Sequence, residues 1–300
     1  MLPERYEAVQ PLGEGAFGMV YAAVLATRAV AVKVLAKAER PELAWQFGAE
    51  YRTLARLAHP AFPAAVELGQ TPGGAPFYAM ELVEGLAPVG PLPAAEVGAI
   101  LAEVAEALAH MHGLGLVHGD LKPENLRVGP HVRVLDVGLA APIGQAREAV
   151  AGTLEYLAPE VFRKAPVVPA ADLYALGCLG YELLTGRPPF TGSPAELVRA
   201  HLTLAPALAE TEAISRLVLA LLAKDPADRP ASAYHVLAAL GRPVPADALS
   251  APARSLDHQA FVGRDEARAA WADALAAPGP AGLYLAAQPG LGKTRTLDEL

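Results

Sequence analysis

Apolar and polar positions change spacing several times along this chain, and each change marks an element. From residue 6 to 35, short apolar runs alternate with glycines, YEAVQPLGEGAFGMVYAAVL and then RAVAVKVL. That period of two predicts three antiparallel strands. Residues 42–58, ELAWQFGAEYRTLARLA, carry apolar side chains at helical spacing. Residues 77–82 read as a strand and residues 85–93 as a loop. Residues 94–114 hold no internal proline and end among Gly113 and Gly115, which predicts a long helix. Two short strands follow, at 126–128 and 132–135, and from Ala170 onward the pattern is helical. Strands first and helices afterwards predict an α+β order.

The periodicity fades over residues 241–256, GRPVPADALSAPARSL, which are rich in proline and alanine and read as a linker. This divides the chain into a first domain, 1–242, a linker, 243–260, and a last segment, 261–300. In that segment Phe261 opens a helix reaching residue 275, residues 282–286 read as a buried strand, and AQPGLGKT follows at 287–294.

Composition narrows the function classes. A hydrophobic share of 53% and a charged share of 19% describe a globular chain. The net charge of −8 argues against binding nucleic acid through a basic face. The single Cys178 makes no internal disulfide, which fits a reducing compartment. Residues 1–6 run straight into a strand-like stretch without the apolar core of a signal peptide. The apolar run at 170–184 is broken by Asp172 and Glu182, and no run reaches bilayer length. A cytoplasmic protein with no membrane contact is therefore expected. His110, His112, His201 and His235 show no metal-ligand spacing with cysteine or carboxylate partners.

The chemistry lies in the order of a few residues. Gly13-Glu14-Gly15-Ala16-Phe17-Gly18 is a G-x-G-x-x-G run. A dinucleotide-binding copy should lead into a helix. Here a strand follows, Met19 to Ala23, as in a glycine hairpin whose backbone covers phosphates. Lys33 sits between apolar neighbours fifteen residues after Gly18. The octapeptide HGDLKPEN, His118 to Asn125, is followed eleven residues after Asn125 by Asp136-Val137-Gly138. Together these read as a site for ATP-dependent phosphoryl transfer.

Read in order, these motifs resemble the bacterial eukaryotic-like (Hanks-type) serine/threonine protein kinases over roughly residues 1–242. The resemblance implies a two-lobed fold, with a β-rich N-lobe at about 1–85 and a helical C-lobe at about 86–242. It implies that Gly13, Gly15 and Gly18 cover the phosphates, and that Lys33 holds them and pairs with a helix glutamate. Glu50 is the first candidate, from its E-x8-H-P spacing to His59-Pro60, and Glu42 the lesser. Val20, Ala31 and the gatekeeper Met80 would line the nucleotide pocket, with Glu81 to Val83 holding adenine through backbone groups. Asp120 would accept or orient the proton of a serine or threonine hydroxyl on a protein substrate, and Lys122 would stabilise the transferring phosphoryl group. Asn125 and Asp136 would carry Mg2+, with hard oxygen ligands. Thr153 would pack near Asp120, Asp172 would anchor the catalytic loop, and Arg229 would pair with Glu160.

Three positions depart from the family. Gly119 replaces the arginine that usually receives an activation-loop phosphate, and residues 139–152 contain no Ser, Thr or Tyr. Activation-loop phosphorylation is therefore expected not to be required. Val137 stands where phenylalanine is usual, so the active arrangement is expected to be held less tightly. Arg127 stands where an apolar side chain normally floors the adenine pocket, and its stem is expected to serve while the charged head reaches water. These departures support the alternative, a pseudokinase or nucleotide-sensing module.

The last segment resembles the start of an AAA-type signalling ATPase. FVGRDEA opens it, and Gly292-Lys293-Thr294 completes a Walker A loop whose first position is Ala287 instead of glycine. The resemblance implies that Lys293 and the loop amides hold phosphates and that Thr294 reaches magnesium. About forty residues cannot bury a P-loop core, so a continuing ATPase region is expected, either regulating the kinase or taking it as its input.

Overall fold

The alternating N-terminal run folds into consecutive hairpins. In the computed structural model, which describes residues 2–15, 18–36, 41–146, 150–210 and 212–249, β1 (Tyr6–Gly15), β2 (Gly18–Leu25) and β3 (Arg28–Leu35) pair antiparallel. Two further strands, β4 (Ala65–Gln70) and β5 (Pro76–Glu81), complete a sheet of order β1-β2-β3-β5-β4. β3 is central and largely buried, with Val30, Val32 and Lys33 all enclosed. β4 was not expected from the sequence. It is an edge strand whose Leu68 remains exposed, so AVELGQ carries only a weak alternating signal.

Helix α1 (Pro41–Arg56) crosses this sheet and ends two residues earlier than its apolar spacing suggested. The tight bonds Ala58 N–H to Arg56 O and His59 N–H to Leu57 O close the turn ahead of Pro60. A residue before proline avoids the helical region, which stops the helix there.

Past β5 the chain is mainly helical. Helix α2 (Ala94–Gly113) and, further on, α4 (Pro169–Thr185) pack together at the centre of the largest hydrophobic cluster. Between them lie the strands β6 (Leu116–Val117), β7 (Leu126–Val128), β8 (Val132–Val134) and β9 (Ala141–Pro142), and the short α3 (Pro159–Phe162). Helices α5 (Pro194–Thr203), α6 (Ala213–Leu221) and α7 (Ala233–Ala239) complete the domain. The β6–β9 pairing, Leu116 with Pro142 and Val117 with Ala141, was also missed, since two-residue strands exist only through their partner. α4 is buried almost all round, with Leu173, Tyr174, Leu176, Cys178, Leu179 and Leu183 enclosed. Asp172 and Glu182, which break its apolar run, instead hold polar partners. Cys178 is the small core residue its helical setting implied, and burial pushes its thiol pKa up.

Arg229 and Glu160 meet as a buried pair. Arg229 Nη1 lies 2.6 Å from Glu160 Oε1 and Nη2 lies 2.8 Å from Oε2. The remaining guanidinium hydrogens reach the carbonyls of Ala223, Ala170 and Lys224. All donors of the fork are thereby used, the condition under which a buried ion pair is tolerated.

This is a two-lobed α+β fold, a β-sheet lobe with one helix followed by a helical lobe. Among the described residues no helix is long and apolar enough to cross a membrane. The end of the expected linker and the segment with Gly292, Lys293 and Thr294 lie outside the described residues.

Candidate active site

Cross-strand register builds the N-lobe half of the site. Lys33 on β3 stands opposite Tyr78 on β5, so both side chains leave the same face of the sheet. Lys33 Nζ donates to Glu50 Oε1 at 2.7 Å, and Tyr78 OH donates to the same oxygen at 2.8 Å. Lys33 and Glu50 are both buried at 4% exposure, so this is an enclosed pair instead of a solvated helix face. Lys33 Nζ also lies 3.9 Å from Asp136 Oδ2. Burial pushes the Glu50 pKa up, and Asp136 adds to the rise against the attraction of Lys33. At Asp136 burial also opposes ionisation, but Lys33 and the Gly138 N–H outweigh it and hold the pKa below the ordinary value.

The C-lobe half is a loop tied to α4. Asp172 accepts the backbone N–H of His118 at 2.8 Å and of Gly119 at 2.9 Å, and its Oδ2 also lies 2.9 Å from His112 Nε2. Burial raises the cost of that charge, and the bond to His112 leads the groups that keep the Asp172 pKa low. Gly119 takes φ +78°, a left-handed backbone that costs a residue with a Cβ about 1–2 kcal/mol. Asp120 Oδ1 then accepts both the N–H and the hydroxyl of Thr153, each at 3.0 Å. Lys122 Nζ lies 3.0 Å from Asp120 Oδ2 and donates to Thr153 Oγ1 at 2.7 Å.

A 3-10 turn at Pro123–Asn125 brings Asn125 back toward the same carboxylate. Its Nδ2 donates to the Asp120 carbonyl at 2.8 Å and to Asp120 Oδ2 at 3.2 Å. The amide is thus oriented with its nitrogen inward, leaving Oδ1 as its acceptor end. The Leu135 N–H donates to Asn125 O at 2.8 Å, which fixes the loop before Asp136 beside Asn125. Two hard oxygen donors, from Asn125 and Asp136, suit a magnesium-like cation.

The residues expected at the nucleotide lie on the glycine hairpin and at the β5 end. A Cβ at Gly18 would lie 2.3 Å from Val34 O, so this glycine is demanded by close approach to β3. A Cβ at Gly13 would meet nothing within 4 Å, which leaves open space beside the backbone. Gly15 is described only as the end of β1. Ala31 is buried opposite Met80, Val20 is half-buried opposite Lys33, and Met80 packs against the main core. Glu81 uses its side chain on Arg133, at 2.7 Å, and on the Ala64 N–H, and its own N–H bonds Ala64 O. Its hydrogen bond from Arg133 holds the Glu81 pKa down. Val83 follows β5 in the segment joining the two lobes.

The three departures take definite form. Arg127 is half-buried, and its Nη1 donates to the carbonyls of Leu126 at 2.7 Å and, at an exposed position, Glu124 at 3.1 Å. Val137 is 2% exposed within the main core, and the Lys33–Glu50 pair is formed. Around the activation segment, β9 pairs with β6, Ile143 N–H reaches Gly115 O, and Gly144 and Val167 bond across through Val167 O and Gln145 O. Ile143 also packs against the small cluster of Val117, Ala141 and Val167.

Sequence reasoning missed Tyr78 and Arg133. A period of two on β5 places Tyr78 and Met80 on one face, which was the available signal for Tyr78. Nothing local marks Arg133, whose partner lies 52 residues away.

A family model described as protein kinase domain matches residues 6–239. The chain is 35% identical over 293 residues to serine/threonine-protein kinase pkn2 of Myxococcus xanthus, covering 87% of this chain and 35% of that protein. It is 36% identical over 269 residues to serine/threonine-protein kinase PknB of Mycobacterium tuberculosis, covering 80% of this chain and 43% of the relative. It is 34% identical over 317 residues to the PknB of Mycolicibacterium smegmatis, covering 94% of this chain and 50% of the relative. The chain thus spans about a third to a half of the length of these relatives. Set beside the enclosed Lys33–Glu50 pair and the loop carrying Asp120, Lys122 and Asn125, these matches place the chain in the protein kinase domain family, as a domain of the serine/threonine type.

Proposed function

We propose that this domain transfers the γ-phosphoryl group of Mg-ATP to a serine or threonine hydroxyl of a protein substrate. The observation that carries the reading is the convergence on Asp120, whose two oxygens are held by Thr153, Lys122 and Asn125. Asp120 Oδ2 takes the proton of the acceptor hydroxyl as its oxygen attacks the γ-phosphorus. The bond to the β–γ bridging oxygen breaks and ADP leaves. Lys122 neutralises charge on the passing phosphoryl group, and Lys33, held by Glu50, steadies the α- and β-phosphates. Asn125 and Asp136 would hold Mg2+, which when bound neutralises charge on the phosphate oxygens. The open space at Gly13 and the oxygen pair of Asn125 and Asp136 fit such a ligand.

Transfer of labelled γ-phosphate to a generic basic protein tests this. It is expected with Mg2+, lost on chelation and restored when Mg2+ is returned. Nucleotide binding without transfer to any acceptor would move the weight to a nucleotide-sensing module. Against the departures at Gly119, Val137 and Arg127, the residues that alternative would need to lose are present and paired.

Regulation follows from the same residues. The activation segment carries no hydroxyl from 139 to 152, Gly119 offers no cation to a phosphate, and backbone bonds pin residues 143–145. Enzyme stripped by a phosphatase, then freed of it, is expected to keep full transfer activity. A stoichiometric, activating phosphate mapped to Thr153 would sink this expectation.

The segment 261–300 supports, on its sequence alone, the start of a P-loop module with Gly292, Lys293 and Thr294 at the phosphates. The single, buried Cys178 supports a reducing, cytoplasmic setting.

A further inference from the structure

We infer that Tyr78 is a positioning residue for Glu50, and that its hydroxyl locks α1 in the orientation the Lys33 pair requires. This rests on the kinase reading of Lys33 and Glu50. The observation is a double hold on one atom. Glu50 Oε1 accepts from Lys33 Nζ at 2.7 Å and from Tyr78 OH at 2.8 Å. The two donors are direct cross-strand neighbours, so the sheet presents them as a unit.

The Tyr78 ring reinforces the hold. It meets Phe47 at 5.0 Å between centroids and Tyr51 at 5.7 Å. Phe47, Glu50 and Tyr51 are spaced three and four residues apart, so they share the inward face of α1. Tyr78 is 2% exposed and Phe47 is fully enclosed. A buried phenol needs a partner. Among the described residues Glu50 is the hydrogen-bond partner of this one, so an outward swing of α1 would strand the Tyr78 hydroxyl as well as break the Lys33 pair. Burial, followed by Glu50, pushes the Tyr78 pKa well up, so the phenol stays a donor throughout the working pH range.

The need for such a device is visible elsewhere in the chain. Residues 139–152 offer no hydroxyl for a phosphate, Gly119 gives no cation to receive one, and Val137 is smaller than the phenylalanine usual at its place. Tyr78 supplies a hold on α1 from within the sheet lobe. Nothing in the motif residues assigns a role to this position.

The test is Tyr78→Phe in the full chain, which keeps the ring and removes one oxygen. It is compared with Glu50→Ala and with the double variant. Steady-state transfer, ATP affinity and hydrogen exchange of the α1 amides are measured on each. We expect Tyr78→Phe to lower kcat/KM roughly tenfold, since a hydrogen bond to a charged group is lost. Exchange across residues 41–56 should quicken at the same time. Added to Glu50→Ala, the same change should have no further effect, because the acceptor is gone. Wild-type turnover and exchange in Tyr78→Phe would overturn the inference, as would an equal loss in both backgrounds, which would mark a packing role only. The exchange readout stands without catalysis. A wild-type chain that transfers no phosphate would count against the kinase reading while leaving the lock on α1 still measured.

Discussion

Asp120→Asn is expected to slow phosphoryl transfer by roughly 10²- to 10⁴-fold, the span typical of a lost general base. The substitution keeps size and shape. Oδ1 continues to accept the Thr153 N–H and hydroxyl, both at 3.0 Å, so the loop keeps its position. The new amide group replaces Oδ2, which now lies 3.0 Å from Lys122 Nζ and 3.2 Å from Asn125 Nδ2. Acceptor becomes donor at the place where the hydroxyl proton should go. Lys33, Glu50 and Asp136 are untouched, so ATP affinity should hold. Single-turnover transfer with a parallel nucleotide titration separates these effects. Unchanged turnover would show that Asp120 does not carry the proton, and lost ATP binding would show that the change disturbed the cleft instead.

The second large effect concerns stability. Arg229→Leu leaves Glu160 buried and uncompensated, with both of its oxygens stripped of a partner at 2.6 and 2.8 Å. Breaking one side of such a pair costs about 3–5 kcal/mol. At about 2–4 °C per kcal/mol for a domain of this size, the melting temperature should drop by roughly 10 °C. Three carbonyls, those of Ala223, Ala170 and Lys224, lose a donor as well, which places the change toward the upper end. Arg229→Leu combined with Glu160→Met should recover part of the loss, because no buried charge then remains. Calorimetry on the single and double variants checks this. A double variant less stable than the single would mean that the arginine works mainly through the carbonyls.

Most of the candidate site was legible because phosphoryl transfer needs few side chain types in a fixed order. Lys33, Asp120, Lys122, Asn125 and Asp136 could be picked out by spacing, and the structure sets Lys33 beside Glu50 and Asp136, and Asp120 beside Lys122 and Asn125. Glu50 was separable from Glu42 only by its distance to His59-Pro60, and it is Glu50 that meets Lys33. The strands of the first hairpins were legible because their alternation is long. β4, β6 and β9 were not, since an exposed edge and two-residue bridges owe their form to partners remote in sequence. Tyr78 and Arg133 escaped for the same reason: each acts through a residue on another element. The bonds of Arg127 Nη1 to the carbonyls of Leu126 and Glu124 leave no mark in the pattern of apolar positions.

Asp172 belongs to α4, the most enclosed helix of the larger lobe, and it grips the two amides that precede Asp120. Loops fastened to a mobile rim can loosen while the rest of a domain stays intact. Here the catalytic loop is fastened to a deeply enclosed helix, and openings of such core elements approach the cost of global unfolding. Heat should therefore silence this enzyme at the temperature where it melts, without an earlier stage in which a folded but slack catalyst persists.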